Sequence, residues 1–583
     1  MPPSIAEVTA TLTAPGSMFE MDTADVRGVT LKVWKNCPPS LRSLLELSQL
    51  HGDKVFIVYE DEHYTFAEHF ALAARFARYL VDDVGIVKGD RVAIAMRNFP
   101  EWSAAFWGAA AAGAVVVPLN AWWTGPELEY GLIDSGARVA VVDAERLERL
   151  GPHLVALGDL ALVVVRPESV GADAGVGAVR WEDAVGSAGS GLPDVTIEPD
   201  DDATIFYTSG TTGRPKGALG TQRNICTNLL TLAFTQARAG ARSGWASGSS
   251  GSSGSLSAGS SDNAMLLSVP LFHATGCHSI LVANTAVGGK LVMMHKWDPE
   301  RALELIEREH ITTFGGVPAM VWQVLDSPDF DKRDTSSVRS VSYGGAPAPP
   351  ELVRRITEHF PGAAPGNGYG LTETSSMTTY NAASDYVRHP DSVGVAAPVC
   401  ELKVIGDDGS TLATGEVGEL LIKGPNVVKG YWGKPEATAE SFVDGWLHTG
   451  DVARIDDEGF VYIVDRAKDM VIRGGENVYC AEVEGAIFEH PDVADAAVIG
   501  VPHLVLGEEV GAVVQLRPGA SAGAAELEAF VRERLAGFKT PTHWWFVDTP
   551  LPRNPAGKVL KRELRESLLS QSPGQSAGQS AGG

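Results

Sequence analysis

The stretch Tyr207–Gly217, YTSGTTGRPKG, decides how the rest of the chain is read. It follows an apolar run, Ala203–Phe206 (ATIF), with the make-up of a buried strand. Thr208, Ser209, Gly210, Thr211, Thr212 and Gly213 come next, and Lys216 closes the loop. Glycines let backbone approach an anion, hydroxyls donate hydrogen bonds to it, and a lysine adds a point charge. The string is therefore a candidate phosphate loop. The same composition also makes an ordinary Ser/Thr/Gly turn that holds no ligand. The spacing G-x-x-x-x-G-K-[ST] occurs nowhere in the chain, which excludes the ordinary P-loop NTPase reading.

Working outward, apolar runs such as VAIAM (Val92–Met96), AVVVPLN (Ala114–Asn120) and ARVAVVD (Ala137–Asp143) alternate with helical patterns from Thr65 to about Val164. The rhythm resumes at Ala203–Thr208, Ala264–Val269, Lys290–Met294 and Val338–Tyr343. This is the β-α-β alternation of parallel sheets covered by helices. From about Val395 to Asp465 short strands with tight turns (GDDGS, DDEGF) predict a small β-rich unit. After Asp469 a compact α+β pattern follows, ending in a helix-like segment Lys558–Leu568. Residues 240–262 are almost all Gly, Ala and Ser and read as a flexible surface insert, as does the tail from Ser570.

The expected fold class is α/β. A large multi-subdomain N-terminal domain (1–465) joins a small mobile C-terminal α+β domain (466–568), with a disordered tail at 569–583. A net charge of −26 argues against nucleic acid or an anionic membrane as partner. An anionic ligand would need local Lys, Arg and backbone N–H groups set against that field. Five scattered cysteines without C-x-x-C spacing argue against a disulfide framework or structural zinc and fit a reducing, cytoplasmic compartment. The N-terminal stretch has no basic residue before Arg27 and no apolar h-region, so no secretory signal is expected. The most apolar stretch, Ala104–Val117, falls short of the ~20 residues a spanning helix needs. It reads as a buried helix running into a strand.

Further strings follow in order: PLFHATG (Pro270–Gly276), SYGGAPAP (Ser342–Pro349), GYGLTET (Gly368–Thr374), GELLIKGPNVVKGYW (Gly418–Trp432) and WLHTGD (Trp446–Asp451). VDRAKDMVIRGGENVY (Val464–Tyr479) and NPAGKV (Asn554–Val559) complete the set. Together with YTSGTTGRPKG they resemble the signature of the adenylate-forming superfamily: acyl-CoA synthetases, aryl-CoA ligases, beetle luciferases and peptide-synthetase adenylation domains. The resemblance covers about Thr65 to Leu568 and lies nearest the free-standing fatty acyl-CoA ligases.

The resemblance implies an acid–thiol ligase that uses ATP, Mg²⁺ and CoA as co-substrate. It implies nucleotide contacts from the loop residues above and from Gly344, Gly345, Ala346, Gly368, Tyr369, Gly370 and Thr372, with Tyr369 stacked on adenine. Glu373 resembles the Mg²⁺ ligand, a hard carboxylate oxygen for a hard cation, with Thr208 as a second contact. Asp451 and Arg466 resemble the ribose contacts. Lys558 resembles the lysine that stabilises charge as a carboxylate attacks the α-phosphate. Lys468 falls at the family's hinge between domains, where many relatives carry Asp. Gly475 falls where bare backbone leaves room for pantetheine.

His273 resembles the residue between the nucleotide site and the acyl pocket, and is expected to act in catalysis. Small residues follow it, and Cys277 departs from the bulky aromatic gate of some long-chain members. No acidic residue occurs from Ala264 to Leu281, where amino-acid-activating relatives hold the substrate ammonium with Asp, so an amino-acid substrate is not expected. The pocket, with Gly344, Gly345 and Ala346 on its far wall, should be apolar and roomy. Two alternatives to the CoA ligase are an acyl-AMP ligase loading a carrier protein and a silent acyl or nucleotide binder.

Overall fold

The computed structural model describes residues 2–167, 177–186, 189, 191–208, 214–243, 263–346, 348–466, 469–473, 476–554 and 557–570. Two mostly parallel sheets form most of the large N-terminal domain. In the first, of eight strands, Asp202–Thr208, Val115–Pro118, Arg91–Ala95, Ala137–Asp143, Ala161–Val165 and Ala178–Arg180 run parallel. Lys216–Thr221 and Gly430–Tyr431 extend its near edge antiparallel. In the second, of nine strands, Ala364–Tyr369, Ser340–Gly344, Thr313–Gly316, Ala264–Leu267, Lys290–Met293 and Val55–Tyr59 run parallel.

The inner strands of the first sheet are covered on both faces, which is why Arg91–Ala95, Val115–Pro118, Ala137–Asp143 and Ala161–Val165 read as Val/Ile/Ala-rich runs. One core cluster spans both sheets, joining Val92, Ile94, Val116 and Val139 of the first to Phe56, Ile57, Leu267 and Leu291 of the second. The helix Pro100–Ala111 lies within it, with Trp102, Phe106 and Trp107 fully buried. It runs on into the strand Val115–Pro118, as the apolar stretch predicted.

A five-stranded antiparallel unit follows, built of Glu401–Ile405, Gly418–Lys423, Phe442–Val443, Trp446–Ile455 and Val461–Arg466. The smaller C-terminal domain has its own sheet of Val471–Arg473, Glu476–Val478, Val493–His503, Gly507–Leu516 and His543–Phe546. The helices Cys480–Phe488 and Ala524–Arg532 pack onto it around Val483, Val498, Val510 and Leu527. Among the described residues no helix is long and apolar enough to cross a membrane.

Three boundaries need correction. Residues 240–243 are not loop but the last turn of the helix Gln222–Ser243. Arg242 holds that turn in place: buried, it donates to both carboxylate oxygens of Asp385 and to the Pro3 carbonyl. Residues 244–262 and 571–583 lie outside the described residues. The last helix begins at Lys561, not Lys558, because Arg553 and Val559 first form a β-bridge across a turn. It runs to Ser570, so residues 569 and 570 are helix and not disordered tail.

The topology fixes where a site can form. The strands Ala264–Leu267, Thr313–Gly316, Ser340–Gly344 and Ala364–Tyr369 run the same way, so their C-terminal ends line one edge. PLFHATG, Val317–Pro318, GGAPAP and GYGLTET all leave from that edge, the place where open α/β sheets bind ligands.

Candidate active site

The strand before the signature loop and the strand after it are paired, with Thr208 opposite Lys216. Residues 209–213 lie outside the described residues, but both shoulders are anchored to the helix Gly125–Ser135. Tyr207 Oη donates to Asp134 Oδ2 at 2.8 Å, and Tyr130 Oη donates to the Pro215 carbonyl at 3.0 Å. Burial, with Asp134 beside it, pushes the Tyr207 hydroxyl far above the usual phenol range, so it stays a donor.

Next to this hairpin, Tyr431 faces Ala218 on the edge strand. Lys216 Nζ sits 4.9 Å from the centre of the Tyr431 ring. Tyr431 Oη donates to Glu373 Oε1 at 2.8 Å, and the Glu373 carbonyl accepts from Val428 N–H at 2.9 Å. Burial and the Glu373 charge raise the Tyr431 pKa, which again keeps the phenol protonated. Thr208, Lys216, Tyr431 and Glu373 thus form one connected line.

A second group meets at the end of Ala364–Tyr369. Tyr369 Oη donates to Asp451 Oδ2 at 2.6 Å, and Asp451 is 2% exposed. Asp451 stands on Trp446–Ile455 directly opposite Arg466 on Val461–Arg466. The turn before it is pinned: Gly450 N–H donates to Glu419 Oε1 at 3.1 Å, and Asp451 N–H to Thr449 Oγ1 at 3.0 Å. Gly370 must be glycine, since a Cβ there would lie 1.7 Å from the Ser376 carbonyl oxygen.

His273 follows the strand Ala264–Leu267 of the same sheet, in a turn held by Asn98, whose amide donates to the Val269 carbonyl and accepts from Leu271 N–H. Its Nε2 is buried without a hydrogen-bond partner among the described residues, as are His278 Nε2 and His69 Nδ1. Burial pushes His273 and His278 down to about 4 and His69 to about 3, from 6.5, so all three are neutral near pH 7. In the unfolded chain they take up protons near pH 6.5. As the pH falls from about 6.5 toward 4 the unfolded state therefore binds up to three more protons than the folded one. Stability should fall by as much as ~1.4 kcal/mol per pH unit for each of them. The melting temperature should hold above about pH 6.5 and drop steadily below it, with a shallower fall in His278→Gln. A flat melting temperature between pH 7 and pH 5 would contradict this.

Lys558 closes a turn in which Asn554 N–H donates to the Lys558 carbonyl at 2.8 Å and Lys558 N–H to Asn554 Oδ1 at 2.9 Å. Arg553 fastens the turn to its sheet through both Asp495 oxygens, at 2.8 and 2.6 Å. Gly557 has φ +76°, and a Cβ there would meet Val317 Cγ2 at 2.5 Å. The C-terminal domain therefore lays the Lys558 turn directly against the Thr313–Gly316 strand end, on the edge that carries Tyr369 and His273.

The model of the AMP-binding enzyme family matches residues 46–432, and that of the AMP-binding enzyme C-terminal domain matches residues 482–558. This chain belongs to the AMP-binding enzyme family. A feruloyl-CoA synthase of Amycolatopsis sp is 36% identical over 86% of this chain and 93% of the relative. The long-chain-fatty-acid–CoA ligase FadD13 of Mycobacterium tuberculosis is 35% identical over 88% of this chain and 95% of the relative. The crystal structure of the anthranilate CoA ligase AuaEII in complex with anthranoyl-AMP superposes with a TM-score of 0.81 at 27% identity, over 91% of this chain and 98% of that one.

Against that family pattern, Thr208, Lys216 and Glu373 lie in one line, and Tyr369 with Asp451 in another. Gly344, Gly345, Ala346, Gly368, Gly370 and Thr372 lie on the strand ends or loops beside them. Ser209, Gly210, Thr211, Thr212, Gly213, Lys468 and Gly475 lie outside the described residues, as does the side chain of Arg466. Sequence reasoning missed Tyr431, Asn98 and the Asp134–Tyr207 anchor. For Tyr431 a signal existed, an aromatic in the quoted GYW, but its partner is 58 residues away.

No group of three or more His, Cys, Asp or Glu able to hold a metal is present among the described residues. Glu373 offers a single carboxylate. That suits Mg²⁺, which keeps several waters and takes one or two carboxylates plus substrate phosphates.

Proposed function

We propose that this chain converts a fatty or aryl-alkyl carboxylic acid, ATP and CoA to acyl-CoA, AMP and pyrophosphate. The family supports the coarser activity, an acyl- or aryl-CoA ligase working through an acyl-adenylate. The observation that carries the mechanism is the Lys558 turn laid against Val317.

Lys216, the loop Ser209–Gly213 and the GGA backbone hold the phosphates, Tyr369 packs against adenine, Asp451 accepts hydrogen bonds from the ribose hydroxyls, and Arg466 donates to the ribose. Glu373, oriented by Tyr431 and assisted by Thr208, holds Mg²⁺, which supplies charge neutralisation on the phosphates. A carboxylate oxygen of the acid attacks the α-phosphorus, the bond to the β-phosphate oxygen breaks, and pyrophosphate leaves with that electron pair. Lys558 faces the charge that builds up between the two anions. Neutral His273 partitions this site from the acyl pocket.

In the second step the CoA sulfur bonds to the acyl carbon, the bond from that carbon to the AMP phosphate oxygen breaks, AMP leaves with that electron pair, and the thiol proton passes to solvent. In this reading the domains divide just after the strand Val461–Arg466, one residue beyond the boundary expected from the sequence, and rotation about Lys468 brings Gly475 to the thiol path. The reading also carries a cytoplasmic site of action.

Pyrophosphate release and thioester formation, with and without CoA, over a panel of acids test this. Straight-chain and aryl-alkyl acids should give thioester, and free amino acids no pyrophosphate, since their ammonium would be buried without a partner. Turnover of a neutral amino acid at the rate of the best fatty acid would overturn the pocket reading. Pyrophosphate without thioester from every acid would overturn the ligase reading.

A further inference from the structure

The helix Pro318–Leu325 is gripped by the C-terminal domain at both ends. At its first turn, Val317 receives Gly557 and with it the Lys558 turn. At its other end stands Asp326, the C-cap, whose carboxylate is shared by two guanidiniums. Oδ1 accepts from Arg355 Nη1 at 2.6 Å, and Oδ2 accepts from Arg517 Nη1 at 3.0 Å. Arg355 belongs to the neighbouring helix Pro350–His359, but Arg517 directly follows the strand Gly507–Leu516 of the C-terminal domain. Its own domain aims it: Nε donates to the Pro491 carbonyl at 3.1 Å and its backbone N–H to the Asp492 carbonyl at 2.8 Å.

The pair spans a cleft of about 780 Å³ whose other arginines are occupied within their own domains. Arg354 pairs with Glu351 and Glu358, and Arg534 with Glu489. Each arginine lining the cleft thus already has a carboxylate partner, Asp326 serving two of them. What the cleft offers is one ion pair that crosses from domain to domain. A rigid two-turn helix held at Val317 and at Asp326 leaves the C-terminal domain little freedom to pivot about the Lys558 contact alone.

We propose that Asp326 and Arg517 are positioning residues for the first half-reaction. Their bridge fixes the domain arrangement that sets Lys558 at the strand ends, and it must part before the domain turns to admit the thiol. This rests on the assignment of Lys558 to adenylate formation. Both side chains are about a third exposed, 35% for Arg517 and 37% for Asp326, so the bridge acts as a surface pair and not as a buried one. Its loss should therefore change a rate by roughly two- to fivefold, and salt should screen it.

The test is a single-turnover measurement of each half-reaction in wild type, Arg517→Ala, Arg517→Lys and Lys558→Ala. Arg517→Ala should slow acyl-AMP formation about two- to fivefold while leaving thioester formation from supplied acyl-AMP and CoA unchanged or faster. Arg517→Lys should recover part of the loss, and raising NaCl should narrow the gap between wild type and Arg517→Ala. Equal slowing of both half-reactions by Arg517→Ala, or none at all, overturns the proposal. Lys558→Ala separates the two ideas. If it forms acyl-AMP normally the assignment of Lys558 itself fails, whereas a dead Lys558→Ala beside an unaffected Arg517→Ala sinks only the bridge.

Discussion

Lys558→Ala should lose acyl-AMP formation by roughly 10²–10³-fold while still turning supplied acyl-AMP and CoA into thioester. The acid and the α-phosphate are both anions, so the barrier to their union is largely electrostatic. A cation held in place before the reaction costs no reorganisation when charge develops. The turn is built for that. Arg553 locks it to Asp495, Asn554 closes it, and Gly557 allows both the positive φ and the contact with Val317. Nothing in the second step, attack of sulfur on a carbonyl, calls on this ammonium. Rapid-quench assays of acyl-AMP and of thioester, each in one turnover, read the two steps apart. Normal adenylation in a folded Lys558→Ala would remove the residue from the chemistry. Equal loss of both steps would mean that the turn serves the whole enzyme and not one half-reaction.

What the sequence made legible is what the chain keeps local. The strings YTSGTTGRPKG, GYGLTET and NPAGK are short runs of consecutive residues, and it is their resemblance to a family's ordered set, more than their composition, that made them legible. Much of the first parallel sheet was legible because both faces are covered, which turns strands such as Val115–Pro118 and Ala137–Asp143 into apolar runs. Thr313–Gly316 (TFGG) and Ala364–Tyr369 (APGNGY) of the second sheet carry no such run and do not read as strands. What stayed hidden depends on partners far along the chain. Tyr431 reaches Glu373 across 58 residues, Tyr207 reaches Asp134 across 73, and Arg517 reaches Asp326 across 191. No periodicity or turn signal encodes such pairs, because each partner read alone is an ordinary surface charge or core aromatic. Residues 240–243 misled for a related reason. Gly, Ala and Ser around Arg242 read as loop, and only Asp385, 143 residues on, explains why the helix continues through them. The sequence does not single out His278. Its burial against Phe206 and its bond to the Ser375 carbonyl at 3.1 Å place a neutral imidazole beside the GYGLTET turn.

Asp451→Ala should raise the KM for ATP by roughly ten- to a hundredfold and leave the KM for the acid nearly unchanged. The proposed role is to accept hydrogen bonds from the ribose hydroxyls, and a hydrogen bond to a charged group is worth ~1.5–3 kcal/mol. The structure adds a second route to the same loss. Asp451 is buried and takes the Tyr369 hydroxyl at 2.6 Å, so removing it also unties the aromatic ring proposed to face adenine. Tyr369→Phe separates the two contributions, since it keeps the ring and the carboxylate but deletes the bond between them. If the carboxylate acts mainly on ribose, Tyr369→Phe should cost only about two- to tenfold in KM for ATP, well short of Asp451→Ala. If the carboxylate mainly orients the ring, the two variants should lose ATP affinity alike. The nucleotide itself offers a further control. With 2′-deoxy-ATP, wild type should already show part of the loss, and Asp451→Ala should discriminate less between the two nucleotides because the acceptor is gone. An Asp451→Ala enzyme with wild-type ATP dependence, or one that still prefers ATP to its deoxy analogue as strongly as wild type, would remove Asp451 from the ribose site.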